Sequence, residues 1–393
     1  MYSGKKIKFS RAELFFFLGY FFYSMSSVVI SNSYLFGTNR FAIANVVSYI
    51  AAVLLLISFC MKKHKKSEFV IRFLAGVFVF LIGYNIHSIG IGVCALLIMA
   101  SENIDSERII KFCIYSNIFF LIIVIIPALL GMIPNDVYYR NGVPAYCLGF
   151  AYYSNVPYVV FMITLFTYWL AKKKNKENIV LLLSIPANLL CYKYCTVRLT
   201  FYCYIIFMVL IVLSKFIDFT KKRKWQIVLV SGMFPLAAIF VIALSLLKNR
   251  FPIIQALDAA LNYRLGFNLQ GFQRYGISLF GHKIETVTDY WDENYINHYF
   301  FIDSGYIYTL LSYGIILFVI ILFLYSFLSN YAMKKHDDKL LIICIIICAF
   351  SSVNNVLFSF SLNPLPLVAF NLVRLIYRKR KTYINGVTKQ NNE

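Results

Sequence analysis

Charge is what this chain of 393 residues has least of. Only 14% of its residues are Asp, Glu, Lys or Arg, where a soluble globular domain carries about a quarter. With 60% hydrophobic residues and a mean hydropathy of +0.71, the scarcity excludes a single water-soluble core, which could not hide so much apolar surface. Disordered, collagen-like and disulfide-scaffold classes are excluded with it. Motifs are missing too. There is no Walker A, no G-x-G-x-x-G, no H-E-x-x-H, and no Asp-x-Asp to hold a metal on a nucleotide sugar. The nine cysteines include no C-x-x-C, and most sit in apolar runs, where Cys packs as a small hydrophobe. Cys191 and Cys195 are one helical turn apart but lack the His or carboxylate neighbours of a metal site. Neither a metal nor a cofactor is expected. Residues 1–13 are basic and the first apolar run has no small-residue cleavage site, so it predicts a retained first helix.

What is present is a succession of apolar runs. They predict an all-α polytopic membrane protein, a single transmembrane domain over 1–393, with twelve spans near 14–31, 41–61, 69–84, 87–101, 109–133, 157–171, 179–196, 199–214, 225–247, 304–328, 340–360 and 364–377. The net charge of +21 would suggest nucleic acid in a soluble protein, but in a membrane protein basic residues sort to the cytoplasmic side. With the N-terminus inside, the inner segments hold 29 basic and 10 acidic residues and the outer ones 9 and 7. Every inner loop is basic across twelve spans, which predicts a membrane protein with both termini cytoplasmic. Trp169 and Trp225 fall at the expected interfaces. Two outer segments are long, 134–156 and, between spans nine and ten, 248–303. Within the latter, Ile253, Ile254, Leu257, Leu261 and Leu265 recur at helical spacing with Asp258, Asn262 and Arg264 between them, which predicts an amphipathic helix at the outer surface.

Ionisable groups are scarce inside the spans, where an ion-coupled transporter needs them. They gather instead at outer helix ends. Arg140 lies in the shorter outer segment, Arg198 at the start of the eighth span, and Arg250, Arg264 and Arg274 in the longer one, which also carries Asp289, Asp292, Glu293, His298 and Asp303. Arg holds phosphate in a bidentate fork. Tyr138, Tyr139, Tyr152, Tyr153, Tyr275, Tyr290, Trp291, Tyr295 and Tyr299 in the same segments offer flat faces and hydroxyls suited to sugars. Phosphate with sugar at an outer membrane surface describes a lipid-pyrophosphate-linked saccharide. Interfacial Arg and Tyr also anchor helices to lipid headgroups, and Asp303 ahead of a helix start also fits an N-cap.

Four stretches carry a family resemblance. They are RNGVPAYCLGFAYYSN at 140–155, TVRLT at 196–200, Arg264 followed by the L-F-G of Leu279-Phe280-Gly281, and DSGYIYTLLSYG at 303–314. In order and placement the chain resembles the Wzy-type polysaccharide polymerases of the O-antigen ligase and polymerase superfamily. It departs from the ligases in having Asp303 where they have His, and Ser304 in place of the usual Asn. The resemblance implies a GT-C-like helical fold and metal-independent, inverting glycosyl transfer. A growing glycan on undecaprenyl pyrophosphate is passed to a lipid-linked repeat unit on the outer face. It implies Asp303 as base, with His298 as runner-up, and Arg264 stabilising the departing charge. Arg140, Arg198, Arg250 and Arg274 would bind pyrophosphate or glycan. Implied partners are the undecaprenyl-pyrophosphate-linked oligosaccharide, membrane lipids, and the flippase and chain-length regulator of the same pathway, with no nucleic acid. A lipid-linked oligosaccharide flippase and an O-antigen-type ligase are the alternatives.

Overall fold

A computed structural model of the protein describes residues 10–62, 66–140, 142–221, 224–287 and 299–376. The chain is 73% helical. In order come α1 (Arg11–Ser24), whose end widens into π-type turns over Met25–Ile30, α2 (Arg40–Cys60), α3 (Lys66–Asn85), α4 (Ile89–Ala100) and α5 (Ser106–Leu129). A hairpin of β1 (Val137–Arg140) and β2 (Val143–Tyr146) follows. Then come α6 (Asn155–Leu170), α7 (Lys174–Cys195), α8 (Arg198–Leu213), α9 (Lys224–Leu247), α10 (Pro252–Ala260), α11 (Arg264–Tyr275), α12 (Gly305–Lys335), α13 (Asp338–Ser351) and α14 (Leu365–Ile376). Helices occupy all twelve apolar segments. Six are long and apolar enough to cross a membrane: Arg11–Ile30, Gly37–Cys60, Ser106–Leu129, Lys174–Cys195, Trp225–Leu247 and Gly305–Lys335. Apolar side chains such as Leu182, Leu183, Val228 and Ile239 face outward on α7 and α9, as lipid contact requires.

The described chain divides into two compact units. The first runs to residue 156 without 85–87, and the second comprises 85–87 and everything after 156. In the first unit α1 starts with a capping box, in which Ser10 and Glu13 satisfy each other's backbone N–H. α1 lies close against α2 because Gly19 carries no side chain; a Cβ there would come within 2.7 Å of Leu55. Hydroxyls bind the two helices, with Ser58 donating to the Ala12 carbonyl at 2.7 Å and Ser26 to that of Ala44 at 2.8 Å. At one end Arg108 meets Glu13 at 3.4 Å, and Lys62 Nζ donates to the carbonyls of Ala100 and Glu102. At the other, Tyr34 donates to Asp136 Oδ2 at 2.5 Å and Ser33 bridges Phe150. The hairpin turns at Gly142, whose φ of +78° a glycine adopts without strain.

In the second unit α12 packs along α9 and α13. The Tyr325 ring stacks on Phe234 at 4.5 Å, and its hydroxyl donates to Leu357 O and accepts from Asn363 Nδ2. A polar cluster closes one end. Lys339 Nζ sits 2.7 Å from Glu177, donates to Ala171 O at 2.6 Å and lies over the Tyr168 ring. Beside it Trp169 Nε1 donates to Asp337, and the Thr220 hydroxyl pairs with His336 Nδ1. Two helices differ from expectation. α13 ends at Ser351, short of residue 360, and turns back over 352–364. α12 runs on to Lys335 but breaks at Gly314, where φ is +82° and ψ 169°. The carbonyl of Leu311 and the N–H of Ile315 would pair in an unbroken helix. Instead Leu311 O accepts from His282 N at 2.9 Å, and Ile315 N donates to Ser278 O at 3.0 Å. Residues 278–282 thus supply the helix with the two partners its break removed.

Candidate functional site

The segment 248–303 holds two helices where the apolar spacing foresees one. α10 opens with Pro252 at its first position, where the missing N–H costs nothing. It stops at Leu261 because Asn262 and Tyr263 both take positive φ, a conformation Asn tolerates better than most residues. The chain reverses and α11 begins at Arg264. The amphipathic pattern is therefore cut, and its polar member Asp258 is 1% exposed rather than facing solvent. Its Oδ1 accepts the N–H groups of Leu265 at 2.8 Å and Gly266 at 3.1 Å, the second and third residues of α11. Its Oδ2 lies 3.0 Å from Lys248 Nζ. A carboxylate on the first N–H groups of a helix is a cap and also favours the helix dipole.

Arg264 is thereby delivered to the start of α12. Its Nε lies 3.0 Å from Asp303 Oδ2, and its Nη1 donates to the carbonyl of Val353 at 2.7 Å. That carbonyl is free because α13 has already ended. Gly305 lets the first turn of α12 approach the same turn; a Cβ there would lie 2.8 Å from Asn354 O. The N-cap of α12 is Ser304, whose side chain accepts from Ile307 N. Asp303 is thus released from capping and turned toward Arg264. Both partners remain about a quarter exposed, 23% for Arg264 and 24% for Asp303. Burial pushes the Asp303 carboxyl above the ordinary carboxylate range, and the Arg264 charge pulls it part of the way back. Of the five N–H donors of a guanidinium, Arg264 uses two on described residues, leaving the rest of the fork for an anion.

The other candidates divide. Arg274, exposed at the last turn of α11, lies 4.3 Å from the centre of the Phe300 ring, a cation–π contact. Arg198 is the first residue of α8 after the left-handed Thr196, and it is exposed. Arg250 is exposed ahead of α10. Among the described residues no ion pair joins these three to Asp303. Arg140 is the last residue of β1 in the first unit, paired in register with Val143. His298, Asp289, Asp292 and Glu293 lie outside the described residues. Near Arg140, the rings of Tyr138, Tyr152 and Tyr153 pack together, with centroids 4.4–5.7 Å apart.

Sequence reasoning missed Lys248, Asp258 and the Val353 carbonyl. Asn262, the one αL-tolerant residue inside the presumed helix, was the signal that the helix breaks there. Among the described residues no group of three His, Cys, Asp or Glu could hold a metal ion. No family model, no curated protein and no solved structure matches this chain.

Proposed function

We infer that the protein is a membrane glycosyltransferase of the polysaccharide-polymerase type, acting on lipid-pyrophosphate-linked glycans at the outer face of a bacterial plasma membrane. The observation that carries this reading is the Arg264–Asp303 pair at the start of α12, a quarter-exposed carboxylate beside a guanidinium with donors to spare. In the reaction an acceptor hydroxyl oxygen forms a bond to the anomeric carbon of the donor glycan. The bond from that carbon to the pyrophosphate breaks, and the lipid pyrophosphate leaves with the electron pair. The hydroxyl proton passes to Asp303, whose raised pKa makes it a better base than an ordinary carboxylate. Arg264 meets the charge that grows on the leaving pyrophosphate. Pyrophosphate needs no general acid, so one carboxylate suffices where glycoside hydrolases use two. Direct displacement inverts the anomeric centre.

The sidedness behind this reading has independent support. The charge alternation puts 1–13, the loop at 62–68, 102–108, 172–178, 215–224 and 334–339 inside. The contacts Glu13–Arg108, Lys62–Glu102, Glu177–Lys339 and Thr220–His336 each join two inner segments. Tyr34–Asp136 joins two outer ones. Among the described residues these contacts pair like with like, which supports the reading of twelve spans with both termini inside. In this reading Arg140, Arg198, Arg250 and Arg274 and the tyrosines around Tyr138 guide glycan and headgroup, and the flippase and chain-length regulator of the pathway are the protein partners.

The test is reconstitution. Purified protein in nanodiscs, given a synthetic lipid-pyrophosphate repeat unit, is expected to yield a ladder of longer glycans. Translocation of the unit across liposomes without a ladder would overturn the polymerase reading in favour of a flippase.

A further inference from the structure

Among the described residues of segment 248–303 the least exposed ion pair is Lys248–Asp258, and the reaction above makes no use of it. Asp258 is 1% exposed, whereas Asp303 is 24% exposed. A buried carboxylate is costly unless its oxygens are paired, and here each oxygen has a distinct task. Oδ1 holds the N–H groups of Leu265 and Gly266, immediately after Arg264. Oδ2 faces Lys248 at the end of α9. Gly266 makes room for this arrangement, since a Cβ there would fall 2.6 Å from Lys248 Nζ and 3.3 Å from Asp258 Oδ2. Two consequences follow from the geometry. The direction in which Arg264 leaves α11 is fixed by a carboxylate one helix away. And the helix N-terminus, with its unpaired N–H groups a natural place for a phosphate, is already occupied by an anion of the protein's own.

We propose that Asp258 is a positioning residue for Arg264: it aims the guanidinium at Asp303 and the substrate's pyrophosphate, and it keeps that pyrophosphate off the N-terminus of α11. The proposal rests on the polymerase reading for its substrate, but not for its geometry. The lipid pyrophosphate is thereby directed to the open edge of the Arg264 fork, in line with the departing bond. Without Asp258 the same anion meets two better-placed lures, the bare helix end and an unneutralised Lys248. Binding and turnover then move in opposite directions, which simple damage to the fold does not produce.

The experiment compares Asp258→Ala and Asp258→Asn with wild type in nanodiscs, reading the glycan ladder and the affinity for inorganic pyrophosphate by calorimetry. Asp258→Ala is expected to lose at least about tenfold in kcat while binding pyrophosphate at least about threefold more tightly, the size of effect of one displaced charge-assisted contact. Arg264 is the charged neighbour that bears on Asp303. Loosening it shifts the acid limb of the pH–rate profile upward in Asp258→Ala. Asparagine keeps an Oδ1 for both N–H groups but not the charge opposite Lys248, so Asp258→Asn is expected to stay within about threefold of wild type in kcat with an unmoved acid limb, while binding pyrophosphate more tightly than wild type and less tightly than Asp258→Ala. Weaker pyrophosphate binding together with lower kcat in Asp258→Ala would overturn the proposal. Should Asp258→Ala not fold, Asp258→Asn decides alone, a tenfold loss of kcat in folded protein being the contrary result. Wild type without a ladder overturns the polymerase reading instead, and the pyrophosphate arm still reads the positioning role.

Discussion

The two ends of the second unit each carry a cation paired with a carboxylate, and they are built to opposite purposes. At one end Lys339 has three N–H groups and three places to put them: Glu177, the Ala171 carbonyl and the face of Tyr168. Asp337 next to it is taken by Trp169 and by the N–H of Leu340. At the other end Arg264 has five donors and two described acceptors, and Asp303 is released from the helix cap by Ser304. The pairs are similarly exposed, 24% and 20% at Lys339–Glu177 against 23% and 24% at Arg264–Asp303. What separates them is valence left over. A closed pair fastens helices together, and an open one has donors left over.

The sharpest way to break this comparison is to remove each cation. Arg264→Ala is expected to cut kcat by about 10²–10³, the usual loss for a missing transition-state donor. Lys in its place keeps charge without the fork and recovers only part of the rate. Asp303→Asn comes next. It is expected to lower the rate about 10²-fold as a missing general base does and to erase the acid limb of the pH–rate profile. The sign follows from burial. The base form is lost as pH falls through a pKa raised above the ordinary carboxylate range, so wild type loses activity at a higher pH than a free aspartate would. Lys339→Met should do the reverse. It costs about 1–3 kcal/mol of stability by leaving Glu177 half-buried and unpaired, read as a lower unfolding temperature, while turnover per folded molecule holds. The smallest effect is expected from Ser304→Ala, about 0.5–1 kcal/mol for a lost cap. A large fall in rate there would mean that Asp303 depends on Ser304 more closely than their separate partners suggest.

The helices of this protein were readable from sequence because lipid imposes a simple rule, and all twelve apolar runs became helices. Their ends were less so. α13 stops early at the turn over 352–364, which Asn354-Asn355 and Asn363-Pro364 mark but which the apolar residues between them join to the preceding hydrophobic run. Of the candidate site, Arg264 and Asp303 were picked out by the family resemblance among many charges of the same segment, and they are the pair the structure joins. Asp258 was misread as a solvent face because hydrophobic spacing cannot register a helix that reverses within three residues. Val353 could not be found at all, since its contribution is a backbone carbonyl. Whether Arg198, Arg250 and Arg274 join the chemistry depends on the substrate, which their exposure leaves them free to meet.

The strand of chain threaded through the break in α12 sets a depth. Gly314 lies nine residues beyond the helix start at Gly305, about 14 Å along its axis at 1.5 Å per residue, close to half of a hydrocarbon core of about 30 Å. Irregular backbone survives there only when protein satisfies it, and Gly281 is the partner that fits. A Cβ on Gly281 would lie 2.0 Å from Ser312 O, and one on Gly314 2.3 Å from Leu279 O. Ile277, Leu279 and Phe280 flank the crossing with half-exposed apolar side chains. The segment after α11 is in this light a hook seated in α12 rather than a loop laid over it. Residues 278–282 clamp the helix that begins at Arg264 to the helix that follows Asp303, a second fastening beside the ion pair itself.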